Sequence, residues 1–330
     1  MSNKPLLLVA GLGAIGSVLY VRIDSLGIFK CISLTSERGT QLALEKGISV
    51  KLSENIAPKR YYPTVFSNLP EKFKGKISKC IVATKSYNNK ILAPYLAEVL
   101  LENASILIFQ NGLENEKFYV KANPKWKITR AVSSIGSNRK DGNIIEETAK
   151  GQTFIGPVNH SDQTNILLWK EILSKSGLEC EISKNIQKDV WMKAIVNSCI
   201  NPIGAILGIR NGKIKENEFL LKVVKGLIKE ILPVAQEFVE ISFEEAYKKV
   251  LEVINVTSAN YCSMLQDINK GVKTEIDSIN GAIIRLGQNL GLTLPLNNYL
   301  VNLIIELESK KTTREQATIE LKAIQSVVKL

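Results

Sequence analysis

A chain of 330 residues, 45% hydrophobic and 23% charged, is long enough for two domains with full cores and is neither disordered nor fibrous in composition. Its formal charge of +11 comes from scattered Lys and Arg with no basic run interleaved with aromatics, so no nucleic-acid surface is expected, while a small polyanion such as a dinucleotide phosphate suits the excess. Five dispersed cysteines without a Cys-x-x-Cys pair, and one histidine, His160, argue against any metal site and against a His-based triad; the cysteines read as small buried hydrophobes in a reducing compartment.

In chain order, residues 5–10 (Pro-Leu-Leu-Leu-Val-Ala) are a continuous apolar run, as expected of a strand buried on both faces. Gly11-Leu12-Gly13-Ala14-Ile15-Gly16 follows at once and opens a helical pattern. In that position the spacing is a dinucleotide fingerprint: Gly11 for the tight turn, Gly13 for close approach of a pyrophosphate, Gly16 for helix–strand packing. The glycines and the amphipathic continuation through Arg22 and Asp24 separate this run from a signal peptide. No membrane span is expected anywhere, and the cytoplasm is the expected compartment.

A second strand, Cys31–Thr35, leads to Ser36-Glu37-Arg38, where the ribose of a dinucleotide is read. An acidic residue there selects NAD and an Arg accepts the extra phosphate of NADP; with both present, Arg38 tips the reading to NADP and NAD stays open. Strand 77–84 ends in Lys85 and strand 105–109 ends in Gln110-Asn111-Gly112, placing Lys85 and Asn111 at the carboxyl ends where doubly wound sheets bind ligands. Short strands at 128–136, 144–147 and 153–156, with Asp141-Gly142 as a hairpin turn, are expected to extend the sheet in antiparallel or mixed fashion. Helix 162–176 and strand 178–182 then close a first domain, 1–184.

The remainder, 185–330, reads as all-helical, with periodic runs at 186–207, 217–240, 243–256, 276–290 and 296–308. Ser242 and Glu245 form an expected capping box, and Thr274 an expected cap. Pro202 is expected to kink or stop the first helix. Within that helix Lys193, Asn197 and Asn201 recur every four residues in an otherwise apolar run. They form one polar stripe about 12 Å long that drifts about 80° around the axis. Unsatisfied buried polar groups cost about 1–3 kcal/mol each, so the stripe must line something polar, and amides that donate and accept suit a carboxylate or hydroxyl ligand. A second polar cluster, 257–277, contains Asn260 and Ser263 one helical turn apart, and Glu275.

These residues resemble the ketopantoate reductase (2-dehydropantoate 2-reductase) family over essentially the whole chain. The resemblance rests on the glycine loop, Lys85, Gln110-Asn111-Gly112, Lys193-x3-Asn197-x3-Asn201-Pro202, Asn211-Gly212, Asn260-x2-Ser263-Met264-Leu265-Gln266-Asp267 and Thr274-Glu275-Ile276-Asp277-x-Ile279-Asn280-Gly281. It implies an α/β Rossmann-type N-terminal domain followed by an all-α C-terminal domain, and reduction of the ketone of a small 2-oxo acid by NADPH. Carried over by position, Lys193 is the catalytic acid, and Asn197, Asn201, Asn211, Asn260 and Ser263 hold substrate. Asn111 touches cofactor and substrate, Lys85 the cofactor, and Glu275 the cofactor or the substrate hydroxyl. The chain departs from the family in one place: members commonly carry Arg directly after the second strand, where this sequence has Ser36 with Arg38 two residues on. Apolar helix faces near the C-terminus leave room for a homodimer.

Overall fold

Leu7, Leu8, Val9 and Ala10 offer no polar face to water, and they form a strand buried on both sides. In the computed structural model, which describes residues 4–53, 56–140, 144–158 and 162–324, that strand is β1 (Leu6–Ala10). The Asp141-Gly142 turn and His160 lie outside the described residues. The chain divides into two units, Met1–Gln110 with Asn115–Ile186 and Asn111–Glu114 with Gln187–Leu330.

The first unit continues through α1 (Ala14–Asp24), β2 (Lys30–Leu34), α2 (Glu37–Lys46), β3 (Ile48–Lys51), β4 (Lys59–Tyr61), β5 (Val65–Phe66), β6 (Ile77–Val82) and α3 (Asn89–Val99). After these come β7 (Leu100–Ile108), α4 (Asn115–Ala122), β8 (Lys127–Ser133), β9 (Gly136–Lys140), β10 (Ile144–Ala149), β11 (Thr153–Pro157), α5 (Gln163–Lys175) and β12 (Cys180–Ile182). The main sheet has the order β12-β11-β8-β7-β6-β1-β2-β5, parallel from β5 to β8, with β11 antiparallel to β8. Strand order reverses between β1 and β6, the position where doubly wound sheets take ligands. Ala10 stands beside Leu34 and Val82, and Val82 beside Ile108, so the carboxyl ends of four strands are level.

β9 and β10 do not extend this sheet as expected. They join β3 and β4 in a separate four-stranded sheet, β4-β3-β10-β9. Ile48, Val50 and Ile145 on one face of it are buried in the same core as Val18 and Val21 of α1, while Ser49, Lys51, Ile144 and Glu146 beside them stay half-exposed. The burial pattern shows that one face is covered, and the cover is α1, the helix that also packs on β1 and β2 of the main sheet. The strands β4 and β5 and the helix α4, which the sequence reading passed over, are short and lack a periodic run.

The second unit is built from α6 (Ile186–Leu207), α7 (Gly212–Lys215), α8 (Glu218–Gln236), α9 (Phe243–Val256), α10 (Ser263–Asn269), α11 (Asn280–Asn289), α12 (Pro295–Glu308) and α13 (Arg314–Ala323). Among the described residues no strand follows Ile182. Among the described residues one helix, α6, is long and apolar enough to cross a membrane, and 72% of its apolar window is buried inside the protein.

Three expectations for this unit are corrected. Of the two outcomes expected at Pro202, a kink or a stop, the stop does not occur, since α6 runs five residues further. A proline at 202 cannot donate to the carbonyl of Ser198, and that buried carbonyl instead accepts from Asn280 Nδ2 at 3.2 Å. Asn280 Nδ2 also donates to Asn297 Oδ1 at 3.0 Å, and Asn297 Nδ2 donates to Glu230 at 2.9 Å. The Ser242–Glu245 pair forms half of a capping box: Ser242 Oγ accepts from the Glu245 N–H at 3.1 Å, while the Glu245 carboxylate pairs with Lys188. Thr274 does not cap α11, which starts at Asn280; its hydroxyl accepts from Ile276 N–H and opens a 3-10 turn over Ile276–Ser278.

Candidate functional site

The glycine loop shows three distinct steric demands. Gly11 has φ +105°, and a Cβ there would sit 2.8 Å from the backbone nitrogen of Thr84. At Gly16 a Cβ would lie 1.8 Å from the carbonyl oxygen of Gly11. At Gly13 it would meet nothing within 4 Å. Gly11 and Gly16 are therefore fixed by the fold, whereas Gly13 faces open space. Gly13 is also the N-cap of α1, with no side-chain cap and no acidic residue in the first turn. Free N–H groups and the positive end of the helix dipole thus stand uncompensated by any anion, an arrangement that fits a pyrophosphate. Leu12 is buried, and Ala14 and Ile15 are half-buried as α1 begins.

Ser36 is the N-cap of α2, accepting from Gly39 N–H at 3.1 Å, so Glu37 and Arg38 stand in the first helical turn rather than in a loop. Glu37 has a local reason to be there, the helix dipole. Arg38 is exposed. Lys85, half-buried, stands three residues past the end of β6 and is the N-cap of a 3-10 turn over Ser86–Asn88.

Beside it lies a buried polar network that carried no assignment in the sequence. Gln110 Nε2 donates to Thr84 O at 3.0 Å and Asn89 Oδ1 at 2.8 Å, and Tyr119 Oη donates to the same Asn89 oxygen at 2.8 Å. Arg130 Nη2 donates to the Gln110 carbonyl at 2.8 Å. Burial holds the Tyr119 phenol well above its ordinary range, so it stays a neutral donor. This network sets the heights of the β6 and β7 ends.

Immediately after Gln110 the chain enters the second unit. Gly112 has φ +92°, and a Cβ there would meet the Ser278 carbonyl oxygen at 2.5 Å; Leu113 N–H donates to that oxygen at 2.9 Å. The close approach brings Asn111 to Glu275: Asn111 Nδ2 donates to Glu275 Oε2 at 3.2 Å, and the Glu275 residue is buried. On α6, Lys193 and Asn197 are half-buried and Asn201 is buried. The Asn280 bond to Ser198 O ties the segment after Glu275 to α6 one residue past Asn197.

The last group meets around Asn201. Cys262 Sγ lies 3.4 Å from the Asn201 carbonyl oxygen and caps α10, whose first residue is the exposed Ser263. Asn211 N–H donates to the carbonyl of Asn260 at 2.9 Å, and Asn211 Nδ2 to Thr257 Oγ1 at 2.9 Å. Asn201, Asn211, Asn260 and Ser263 thus share one neighbourhood; the Asn211 Nδ2 is occupied within the fold while its buried Oδ1 has no partner among the described residues, and Asn260 is exposed. No group of three or more His, Cys, Asp or Glu that could hold a metal occurs among the described residues.

A doubly wound sheet with this glycine loop, joined to a helical unit bearing a Lys–Asn–Asn stripe, defines a nicotinamide-dinucleotide-dependent oxidoreductase. Comparison with known proteins narrows the class. The family model for Ketopantoate reductase PanE/ApbA matches residues 7–160, and the model for its C terminal matches residues 185–308. A 2-dehydropantoate 2-reductase of Archaeoglobus fulgidus is 31% identical over 303 residues, covering 91% of this chain and 97% of that protein. One of Pyrococcus abyssi is 31% identical over 314 residues, covering 92% and 99%. The structure of D-mandelate dehydrogenase with NADH and anilino(oxo)acetate superposes with a TM-score of 0.86 at 21% identity, covering 92% of this chain and 98% of that one. The chain belongs to the ketopantoate reductase family.

Proposed function

We propose that this protein reduces ketopantoate to pantoate with NADPH in the cytoplasm, as a step of pantothenate and coenzyme A synthesis. The observation that carries the reading is the stripe on α6: an ammonium and two carboxamides on a helix whose other positions from Val190 to Ile206 are mostly buried. Gly13 and the N-terminus of α1 hold the pyrophosphate in a loop shaped by Gly11 and Gly16, and the exposed Arg38 takes the 2′-phosphate, since Glu37 beside it is accounted for by the helix dipole. Lys85 and Asn111 orient the cofactor.

When bound, the reduced nicotinamide supplies the hydride. Negative charge growing on the carbonyl oxygen needs a cationic proton donor within about 3 Å, and the Lys193 ammonium would stabilise that charge and give up its proton. Asn197, Asn201, Asn211, Asn260 and Ser263 bind the carboxylate and hydroxyl groups, the unpartnered Oδ1 of Asn211 serving as an acceptor for a hydroxyl. Glu275 acts as a hydrogen-bond partner to cofactor or substrate hydroxyl, in line with its bond to Asn111. Assembly as a homodimer is part of the same reading, in line with the dimeric ketopantoate reductase of Staphylococcus aureus, whose structure has the same fold with a TM-score of 0.74.

The test is steady-state oxidation of NADPH, and separately NADH, with ketopantoate. A Michaelis constant below about 1 mM with NADPH preferred is expected. Lys193→Ala is expected to lower kcat by about 10²–10⁴-fold with NADPH affinity retained. Near wild-type turnover by that variant removes Lys193 as the acid. Tight NADPH binding without turnover of ketopantoate moves the substrate to another 2-oxo acid or an imine, and inertness toward all of these leaves a cofactor-binding sensor.

A further inference from the structure

The four-stranded sheet has no part in the chemistry above, yet it is fastened to α1 near both ends of that helix. Near its C-terminal end, Arg22 pairs with Glu147 of β10 at 2.5 Å. Before its N-terminus, Arg139 of β9 donates from Nη2 to the carbonyl oxygen of Leu12. The same oxygen accepts from Ser17 Oγ at 3.2 Å. Burial lowers the Arg139 pKa from its ordinary value, the mark of a partly desolvated guanidinium beside the loop.

The Leu12–Gly13 peptide is planar and trans, so its C=O and N–H point in opposite directions. Two donors hold the oxygen on the side of α1 and β9. The Gly13 N–H is thereby turned the other way, at the one glycine of the loop that faces open space. We propose that Arg139 is a positioning residue for the dinucleotide: it fixes the Leu12–Gly13 peptide so that the Gly13 N–H is aimed at the pyrophosphate, and it adds positive charge there. The inference rests on the cofactor reading of the glycine loop.

The experiment is calorimetric titration of wild type, Arg139→Met, Arg139→Lys and Ser17→Ala with NADPH, ADP-ribose and adenosine 2′-monophosphate. The last ligand lacks the diphosphate. Arg139→Met is expected to weaken NADPH and ADP-ribose by about 10- to 50-fold, the scale of a lost charge-assisted hydrogen bond, and to leave adenosine 2′-monophosphate within about twofold. Arg139→Lys, which keeps a cationic donor, is expected to recover to within about fivefold. Ser17→Ala, which leaves the cation in place, is expected to lose about threefold on the two diphosphates alone. Unchanged NADPH affinity in Arg139→Met overturns the proposal, as does an equal loss for all three ligands, which would mark a purely structural role. If Arg139→Met does not fold, Arg139→Lys and Ser17→Ala carry the same comparison, and no selective loss in either overturns it. Failure of the wild type to bind NADPH or ADP-ribose refutes the cofactor reading instead.

Discussion

The contrast between Gly13 and Gly16 gives the most direct test of how the glycine loop works, because the two positions demand glycine for different reasons. An added Cβ at Gly16 would lie 1.8 Å from the Gly11 carbonyl oxygen, and neither backbone can yield without separating α1 from β1. Gly16→Ala is therefore expected to cost about 3 kcal/mol or more, a fall in Tm of about 6–12 °C for a unit of this size. At Gly13 the added methyl meets nothing within 4 Å, and φ −68°, ψ −169° suits alanine. Alanine is a poorer N-cap than glycine by about 0.5–1 kcal/mol but restricts the unfolded chain by about 0.4–1 kcal/mol, so Tm should hardly move. Cofactor binding should suffer instead, because the methyl occupies the space through which the phosphate reaches the backbone. Loss of one hydrogen bond to a charged group is about 1.5–3 kcal/mol, hence about 10- to 150-fold in Kd. Differential scanning calorimetry and NADPH fluorescence titration on both variants read the two quantities separately. Wild-type affinity in Gly13→Ala would refute the placement of the pyrophosphate; an unshifted Tm in Gly16→Ala would refute the packing argument.

Removing one partner of the Arg22–Glu147 pair leaves a buried, uncompensated charge, so Glu147→Ala should destabilise by about 3–5 kcal/mol, and a chemical denaturation midpoint equal to wild type would deny it. Asn280→Ala strands the Ser198 carbonyl and Asn297 Oδ1, at about 1–3 kcal/mol each. Adding Pro202→Ala supplies a backbone N–H for Ser198, so the double variant should recover about 1 kcal/mol beyond additivity in a double-mutant cycle, and strict additivity would break the link between the two sites. All five cysteines are buried, and burial pushes the Cys262 thiol up to about 11 and the Cys31 and Cys180 thiols up to about 12. At pH 8 the native protein should react with a thiol reagent only at its unfolding rate and release five equivalents in denaturant; a fast native phase would contradict the burial.

The features legible in the sequence are those whose cause is local. The run from Leu6 to Ala10 is apolar throughout and the three glycines follow directly, so strand, turn and helix start each announce themselves within a dozen residues. The Lys193–Asn197–Asn201 stripe is visible because polarity at every fourth position is rare in an apolar helix. Pairing is another matter. Ile144–Ala149 reads Ile-Ile-Glu-Glu-Thr-Ala, with no apolar–polar alternation to mark a buried face, and nothing in it says that α1 covers it or that β3, nearly a hundred residues earlier, lies alongside. Two- and three-residue strands such as β5 and β4 carry too few residues for a period. Arg139 is a single charged residue in a polar strand, and its bond to Leu12 spans 127 positions, so no pattern points to it.

Pro202 shows why a local rule can fail in a way that matters to the site. A proline inside a helix costs about 3 kcal/mol, chiefly through the lost N–H and the clash with the preceding turn. In α6 the consequence is an unmatched carbonyl at Ser198, buried where water cannot satisfy it. Asn280 answers that carbonyl from 82 positions away and is itself held by Asn297, which Glu230 anchors in turn. The chain between Glu275 and Asn280 is consequently fixed against α6 beside Asn197, and Gly112 lets Asn111 reach Glu275 by packing on Ser278. The carbonyl left open by the proline is the fixed point from which this part of the site is built, which is why a helix breaker in α6 leaves the helix unbroken.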